Sequence, residues 1–153
     1  MPHFADNSPP GACIFCRLIK GEISSSKVYE DEQTVAFMDL GQVNPGHVLV
    51  ALKRHAATLL DITPDEAAAA MQTARLVALA VKAAFDPPGM TLLQCNGKEG
   101  DQTVFHFHMH VLPRHGNDGV ALSWPRKDPS CEQLEASAER IRLELSSNNN
   151  LNN

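Results

Sequence analysis

Three histidines lie within five residues of one another, at His106, His108 and His110. Successive side chains of a β-strand point to opposite faces, so a strand here would present all three imidazoles on one face. Imidazole can serve near neutral pH as a nucleophile, a proton carrier or a metal ligand. A solvent-facing sheet surface that happens to carry histidines is the simpler alternative. The opposite face would carry the apolar partners Phe105, Phe107, Met109 and Val111.

Two cysteines offer a second chemistry near the N-terminus. Cys13 and Cys16 are separated by two residues, which lets both thiolates reach one tetrahedral metal ion. His55 and one histidine of the triad could complete a Cys2His2 zinc site gathered from three elements. Two alternatives stay open at this point. One is a redox pair of the thioredoxin kind, although no strand of a βαβ unit precedes it, and the other is plain packing of two small residues.

A polar loop leads directly into the histidine run. Residues 96–103 contain two glycines and several short polar side chains, and such groups can hold phosphate oxygens without net positive charge. Most polar loops are only solvated turns, so the position before His106 is what favours a phosphate site. His47 follows Pro45 and Gly46 at the start of a predicted strand, where it either enters a site or lies exposed in a turn.

Composition excludes several classes of protein. The 153 residues carry a net charge of −5 and are 43% hydrophobic, which suits one domain with a real core and argues against binding nucleic acid or an anionic membrane through bulk charge. We find no apolar run of membrane-spanning length and no signal-peptide core, so we expect a cytoplasmic protein. Four unevenly spaced cysteines do not predict a disulfide scaffold.

The pattern of apolar residues predicts the elements that must position these groups. A short helix is expected over 14–19, and strands over 27–30, 34–38, 47–52, 91–95 and 104–112. A long helix begins at Pro64, with Thr63 and Glu66 forming a capping box, and ends before residues 87–89. A last helix begins at Ser130 with an apolar stripe of Leu134, Ala138, Ile141 and Leu145.

These elements predict an α+β fold, with a mostly antiparallel five-stranded sheet, one long helix packed on it, and short helices toward both ends. We expect residues 1–11 to form a flexible arm, residues 12–145 a single domain, and residues 146–153 a disordered polar tail. The histidine strand would then turn its second face toward a cleft or a partner.

The motifs together resemble the histidine-triad superfamily of nucleotide hydrolases and transferases. Residues 106–112 meet its signature of three histidines alternating with apolar residues, and the order of the surrounding motifs also agrees. The similarity covers residues 13–114, about two-thirds of the chain, and is greatest to the small bacterial nucleotide-binding branch. The agreeing motifs are residues 13–16, 46–50, 53–55 and 102–106.

The resemblance implies a role for each matching residue. His108 would attack the α-phosphorus of a nucleotide and form a nucleotidyl-imidazole, from which water releases the nucleoside monophosphate. His110 and His47 would bind phosphate oxygens, with His110 a candidate proton donor. The positions around the phosphate and leaving group are Asn96, Gln102 and Thr103; those at the ribose are Asp39 and Leu40; those around the base are Ile14, Phe15, Leu18 and Phe37. In zinc-containing members the ligands match Cys13, Cys16, His55 and His106, a structural rather than catalytic site.

One position departs from the family pattern. Asp101 precedes Gln102, where the family usually has glycine. A carboxylate would repel a phosphate beside it, so either Asp101 points outward or the loop favours a different leaving group. The resemblance also implies a homodimer formed through the long helix and a neighbouring strand.

The leading hypothesis is a zinc-containing nucleotide phosphoramidase or nucleotidyl hydrolase acting on purine nucleotide derivatives. A diadenosine polyphosphate hydrolase is the enzymatic alternative. A nucleotide-binding regulatory protein with little turnover is an alternative from another class. In a further alternative, the three histidines together hold a catalytic metal ion.

Overall fold

The computed structural model describes residues 5–148, which form two compact units that divide after Val120. The first unit contains α1 (Ile14–Ile19), β1 (Lys27–Glu30), β2 (Thr34–Met38), β3 (Val48–Leu52), α2 (Pro64–Phe85), β4 (Gly89–Leu93) and β5 (His108–Arg114). The second contains α3 (Cys131–Ser147). Single 3-10 turns occupy Leu59–Asp61 and Lys98–Gly100.

The five strands form one sheet in the order β1-β2-β3-β5-β4, and every neighbouring pair is antiparallel. This confirms the predicted α+β fold. The pairing of β5 with the central strand β3 sets the register of the histidines, because Ala51 lies opposite His108 and Leu49 opposite His110. Both histidines therefore face the side of the sheet that small or apolar β3 residues share.

Helix α2 covers the other face of the sheet. The predicted capping box of Thr63 and Glu66 is present, and the helix ends at Asp86 in the left-handed conformation. Four small or β-branched positions at helical spacing are buried against the strands, which lets the helix approach the sheet closely. They are Ala70, Ala74, Val77 and Val81, and they meet Phe107, Met109 and Val111 from the histidine segment.

Helix α2 also corrects one expectation from composition. Its 22 residues include a window of mean hydropathy 1.2, which is long and apolar enough to meet a simple criterion for a membrane span. The sequence-based expectation was that the chain contains no run of that kind. Since Ala74 and Val77 pack into the core, the helix has the arrangement of a core helix.

Three strand boundaries differ from the prediction. Strand β3 begins at Val48 rather than at residue 47, β4 covers 89–93 instead of 91–95, and β5 covers 108–114 instead of 104–112. Residues 104–107 pair elsewhere, because the Phe105 amide donates to Asp6 and the Phe107 amide donates to the Ala56 carbonyl. His106 therefore lies before the strand, and Phe105 lies outside the cluster that buries Phe107.

The described parts of the predicted arm and tail show more structure than the sequence predicts for them. Asp6 pairs with Val104, and its carboxylate accepts from the Ile14 amide at 2.7 Å, which fixes part of the predicted arm to the start of α1. Residues 1–4 and 149–153 lie outside the described residues, whereas Ser146 and Ser147 of the predicted tail belong to α3. The domain bounds 12–145 stay a prediction.

Candidate active site and metal site

Four sulfur and nitrogen atoms converge beside the N-terminus of α1. The Sγ atom of Cys13 lies 3.5 Å from Nδ1 of His55 and 3.4 Å from Nδ1 of His106, and the corresponding distances from Cys16 are 3.3 and 3.6 Å. Zinc bonds of about 2.3 Å to sulfur and about 2.0–2.1 Å to nitrogen give a tetrahedral S···N edge of about 3.6 Å. The donor set and its spacing therefore fit a tetrahedral zinc ion.

Hydrogen bonding and burial set the protonation state of these candidate ligands. Nε2 of His106 donates to the Leu52 carbonyl at 2.6 Å, which leaves the Nδ1 lone pair toward the cluster. Burial lowers the pKa of His106 to about 4, so its imidazole is neutral, as a metal ligand must be. Burial raises the pKa of the Cys13 thiol to about 11, and a bound cation would oppose that effect by favouring the thiolate.

His108 is oriented by the backbone of the same segment. Its Nδ1 donates to the His106 carbonyl at 2.7 Å, so the proton is on Nδ1 and Nε2 carries the free lone pair. Burial lowers the pKa of His108, and its residual exposure is 5%. The ring of Phe15 packs edge-on against it at 5.1 Å. This is a neutral, fixed imidazole with one nitrogen available to a ligand.

His110 has the opposite tautomer. The Val43 amide donates to Nδ1 of His47 at 3.5 Å, which assigns the His47 proton to Nε2. That Nε2 lies 2.9 Å from Nδ1 of His110 and 3.4 Å from a carboxylate oxygen of Asp39. His110 Nδ1 therefore accepts, and its Nε2 carries a proton. Burial first, and then the two neighbouring histidines, lower the pKa of His110 to about 4.

A cavity of about 270 Å³ opens between α1, β2 and the histidine strand. Most of the residues predicted from the sequence to bind nucleotide line it together with His108 and His110. These are Ile14, Phe15, Leu18, Phe37, Asp39, Leu40 and Thr103. Apolar side chains from α1 and β2 and the imidazoles of His108 and His110 line it together, so the cavity offers apolar surface beside groups that can bind an anion.

Three predicted residues lie elsewhere. His47 does not line the cavity itself but contacts two residues that do, His110 and Asp39. Asn96 holds a neighbouring turn, since its side-chain oxygen accepts from the Leu59 amide at 2.7 Å. Gln102 is buried, and its amide group donates to the Ala57 carbonyl at 2.7 Å and accepts from the Gly97 amide at 2.8 Å. In this arrangement Asn96 and Gln102 shape the loop and do not reach the cavity.

Asp101 adopts the left-handed conformation at φ 62° and is exposed. It directly precedes the buried Gln102 and is not among the residues that line the cavity. Of the two expectations for this departure from the family pattern, the structure favours the outward-pointing carboxylate.

Some cavity residues were missed from the sequence. Ser24, Ser25 and Ser26 line the cavity, and a run of three hydroxyl side chains just before a predicted strand was the available signal. Leu49 also lines it, and the alternation of β3 places it on the histidine face. The remaining missed residues are Ile23, Met38 and Val104.

The three histidines of the triad have different surroundings. Among residues 5–148, the potential metal ligands form two groups, one of Cys13, Cys16, His55 and His106, and one of Asp39, His47 and His110. His106 and His110 belong to different groups, and His108 belongs to neither. This argues against a single catalytic metal held by all three histidines. The arrangement instead combines a buried donor set that fits a metal ion, a neutral imidazole with a free lone pair and a proton-bearing imidazole.

Known proteins share this sequence and architecture. A family model described as the HIT domain matches residues 20–117. Adenosine 5'-monophosphoramidase hnt1 of Schizosaccharomyces pombe is 32% identical over 135 residues, which are 88% of this chain and 98% of that protein.

Solved structures agree with the sequence match. A HIT family protein from Bacillus anthracis is 40% identical, with a TM-score of 0.85 over 89% of this chain and 99% of that chain. A zinc-bound histidine triad family protein from Mycobacterium smegmatis is 29% identical, with a TM-score of 0.69 over 91% and 99% of the two chains.

Proposed function

The chain belongs to the HIT domain family, and on that premise we propose that it is a nucleotide phosphoramidase or nucleotidyl hydrolase. The substrates are purine nucleotide derivatives cleaved at the α-phosphate. The observation that carries the proposal is the hydrogen bond from His108 Nδ1 to the His106 carbonyl, because it presents the Nε2 lone pair to the cavity. Similarity to a fungal adenosine 5'-monophosphoramidase supports the substrate class.

The reaction proceeds in two steps. Nε2 of His108 attacks the α-phosphorus, an N–P bond forms, and the bond to the leaving group breaks. A bound phosphate anion favours the protonated form of His110, which then donates its Nε2 proton to the departing amine or oxygen. Water next attacks the nucleotidyl-imidazole, His110 recovers a proton from it, and the N–P bond breaks to release the nucleoside monophosphate.

The ribose end of the site depends on Asp39 and Leu40, and the base end on the apolar surface. Phe15 and Phe37 meet edge to face at 5.2 Å and form a wall against which a purine ring can pack. Of the 96–103 loop only Thr103 is among the residues that line the cavity, so it is the one that we assign to the leaving group.

The nucleophile is tested with adenosine 5'-phosphoramidate as substrate. His108→Ala should lower kcat at least about 10³-fold, while nucleotide binding measured by calorimetry is kept. Mass spectrometry of the intact protein should detect a trapped nucleotidyl adduct on the wild type and none on His108→Ala. His115→Ala, in an exposed loop, is the matched control and should turn over normally. Retained turnover in His108→Ala would overturn the assignment.

The same assay separates the alternatives. Faster cleavage of a diadenosine polyphosphate than of the phosphoramidate would favour the polyphosphate hydrolase. Tight nucleotide binding with negligible turnover of both substrates would favour the regulatory protein.

We also propose that the cluster at Cys13, Cys16, His55 and His106 holds a structural zinc ion. Four protein ligands would fill its coordination sphere, so the ion would join α1 to the histidine segment without contacting substrate. Elemental analysis should give one zinc per chain. Cys16→Ala should lose it together with thermal stability, whereas His110→Ala should keep it. Zinc that persists in Cys16→Ala would contradict this site.

The assembly and location complete the proposal. We place the protein in the cytoplasm as a homodimer formed through α2 and the edge strand β4. Two exposed apolar side chains on α2, at Met71 and Leu79, and two on β4, at Leu92 and Leu93, support this surface. Light scattering tests this interface. The wild type should have the mass of a dimer and Leu93→Glu that of a monomer, whereas a dimeric Leu93→Glu would contradict the interface.

A further inference from the structure

Helix α3 carries an apolar seam that lies exposed in the described residues. Leu134, Ile141 and Leu145 are 56%, 61% and 64% exposed, and Ala138 lies between them. Together with Cys131, these positions are spaced by three, four, three and four residues. On a helix of about 100° per residue they fall within an arc of about 80°, the narrow stripe of a two-stranded coiled coil.

The charged residues beside the seam determine which pairing is favourable. Glu135 and Arg142 flank one side of it, seven residues apart. In an antiparallel pair whose Leu134 meets the partner's Leu145, Ala138 meets the partner's Ile141, and Glu135 lies beside the partner's Arg142. The two-fold symmetry repeats that ion pair, so opposite charges meet twice.

A parallel pair lacks this complementarity. It places Arg142 beside the partner's Ser137 and Glu135 beside the partner's Ser130, so neither charge finds an opposite one across the seam. In the single chain Arg142 is satisfied within its own helix, by Glu135 at 2.8 Å and by Glu139 at 2.6 Å. Those exposed contacts can exchange for contacts between copies at little cost.

We propose that α3 pairs with α3 of a second copy of this chain as a short antiparallel coiled coil. The small Ala138 at the centre lets the helices approach closely, and the seam excludes its leucines and isoleucine from water. A 17-residue helix pair is smaller than the ~800 Å² per partner of a standard interface. The pairing therefore adds to another contact between copies or forms a weak one, and a covalent trap is the suitable readout.

The test uses the full chain with Cys131→Ser as background. Leu134→Cys and Leu145→Cys are made as separate proteins, mixed, and oxidised mildly, and the products are mapped by peptide mass spectrometry. The two positions are about 16 Å apart on one helix, so a link between them joins two chains. We expect the mixed link in high yield and little product from either protein alone.

Two controls give the result its meaning. Leu143→Cys lies on the opposite side of α3 and should link to Leu145→Cys at least tenfold less. Glu135→Arg should reduce the mixed link several-fold, and adding Arg142→Glu should restore it. A strong disulfide between two Leu134→Cys chains indicates parallel pairing. A yield from Leu143→Cys equal to that of the mixed link indicates random collision. Absence of any disulfide indicates another occupant of the seam. Each of these three results overturns the proposal.

Discussion

Gln102 offers a direct test of where the structure departs from the family-based prediction. The resemblance assigns Gln102 to the phosphate, whereas its side chain is buried and bonded to backbone groups of three residues. Nε2 donates to the carbonyls of Ala57 at 2.7 Å and Val104 at 3.1 Å, and Oε1 accepts from the Gly97 amide. We therefore predict that Gln102 acts mainly by holding the loop in place.

The expected magnitude comes from those three contacts. Gln102→Leu keeps the approximate volume of the side chain but leaves two carbonyls and one amide without their partner. At about 1 kcal/mol for each hydrogen bond, the free energy of unfolding should fall by about 3 kcal/mol. With an m-value of about 2 kcal/mol/M, the urea midpoint should fall by about 1.5 M.

The assay compares urea unfolding with steady-state kinetics at saturating zinc. Because Gln102 adjoins Thr103 at the cavity, we expect a raised KM with a smaller change in kcat. Gln33→Leu is the matched control, since the Gln33 side chain is exposed, and its free energy of unfolding should stay within about 0.5 kcal/mol of the wild type. A nearly unchanged midpoint in Gln102→Leu, with kcat lowered about 100-fold, would refute the reasoning and place the amide on the substrate.

Three further predictions concern the residues around the histidines. Gly46 has φ +92° and an added Cβ would lie 2.8 Å from Phe85, so Gly46→Ala should cost about 2 kcal/mol in urea unfolding. Phe85→Ala in the same chain should recover part of that loss, and simple additivity would contradict the clash. The pKa of His110 is about 4 in the folded protein, against an ordinary value of 6.5. Between these two pH values the unfolded chain binds a proton at His110 and the folded protein does not. The free energy of unfolding therefore falls as the pH drops through that range. His110→Asn should reduce the slope of unfolding free energy against pH by up to about 1.4 kcal/mol per pH unit, and an unchanged slope would argue against a neutral buried His110. Phe15→Ala should raise KM for the nucleotide more than about tenfold and cost about 3 kcal/mol of stability, and an unaltered KM would remove Phe15 from the base site.

Local sequence signals predicted much of the fold. The capping box at Thr63 and the apolar spacing behind it located α2, and two β-prone runs around an acidic turn located β1 and β2 at their observed bounds. These features depend on neighbours within a few residues, so the amino-acid sequence alone is enough to predict them. The bounds of β5 were less accurate because residues 104–107 pair with Asp6 and Ala56, which are distant in sequence.

The types and spacing of residues also determined the chemistry available to this protein. The Cys-x-x-Cys spacing indicated a metal site, and period-two alternation put His108 and His110 on one face. Tertiary structure alone decided which nitrogen of each imidazole carries the proton. That choice depends on backbone partners, such as the His106 carbonyl for His108 and the Val43 amide for His47, and every residue type presents those groups alike. Their directions follow only from the folded path of the chain, and so do the different hydrogen-bond partners of the three histidines.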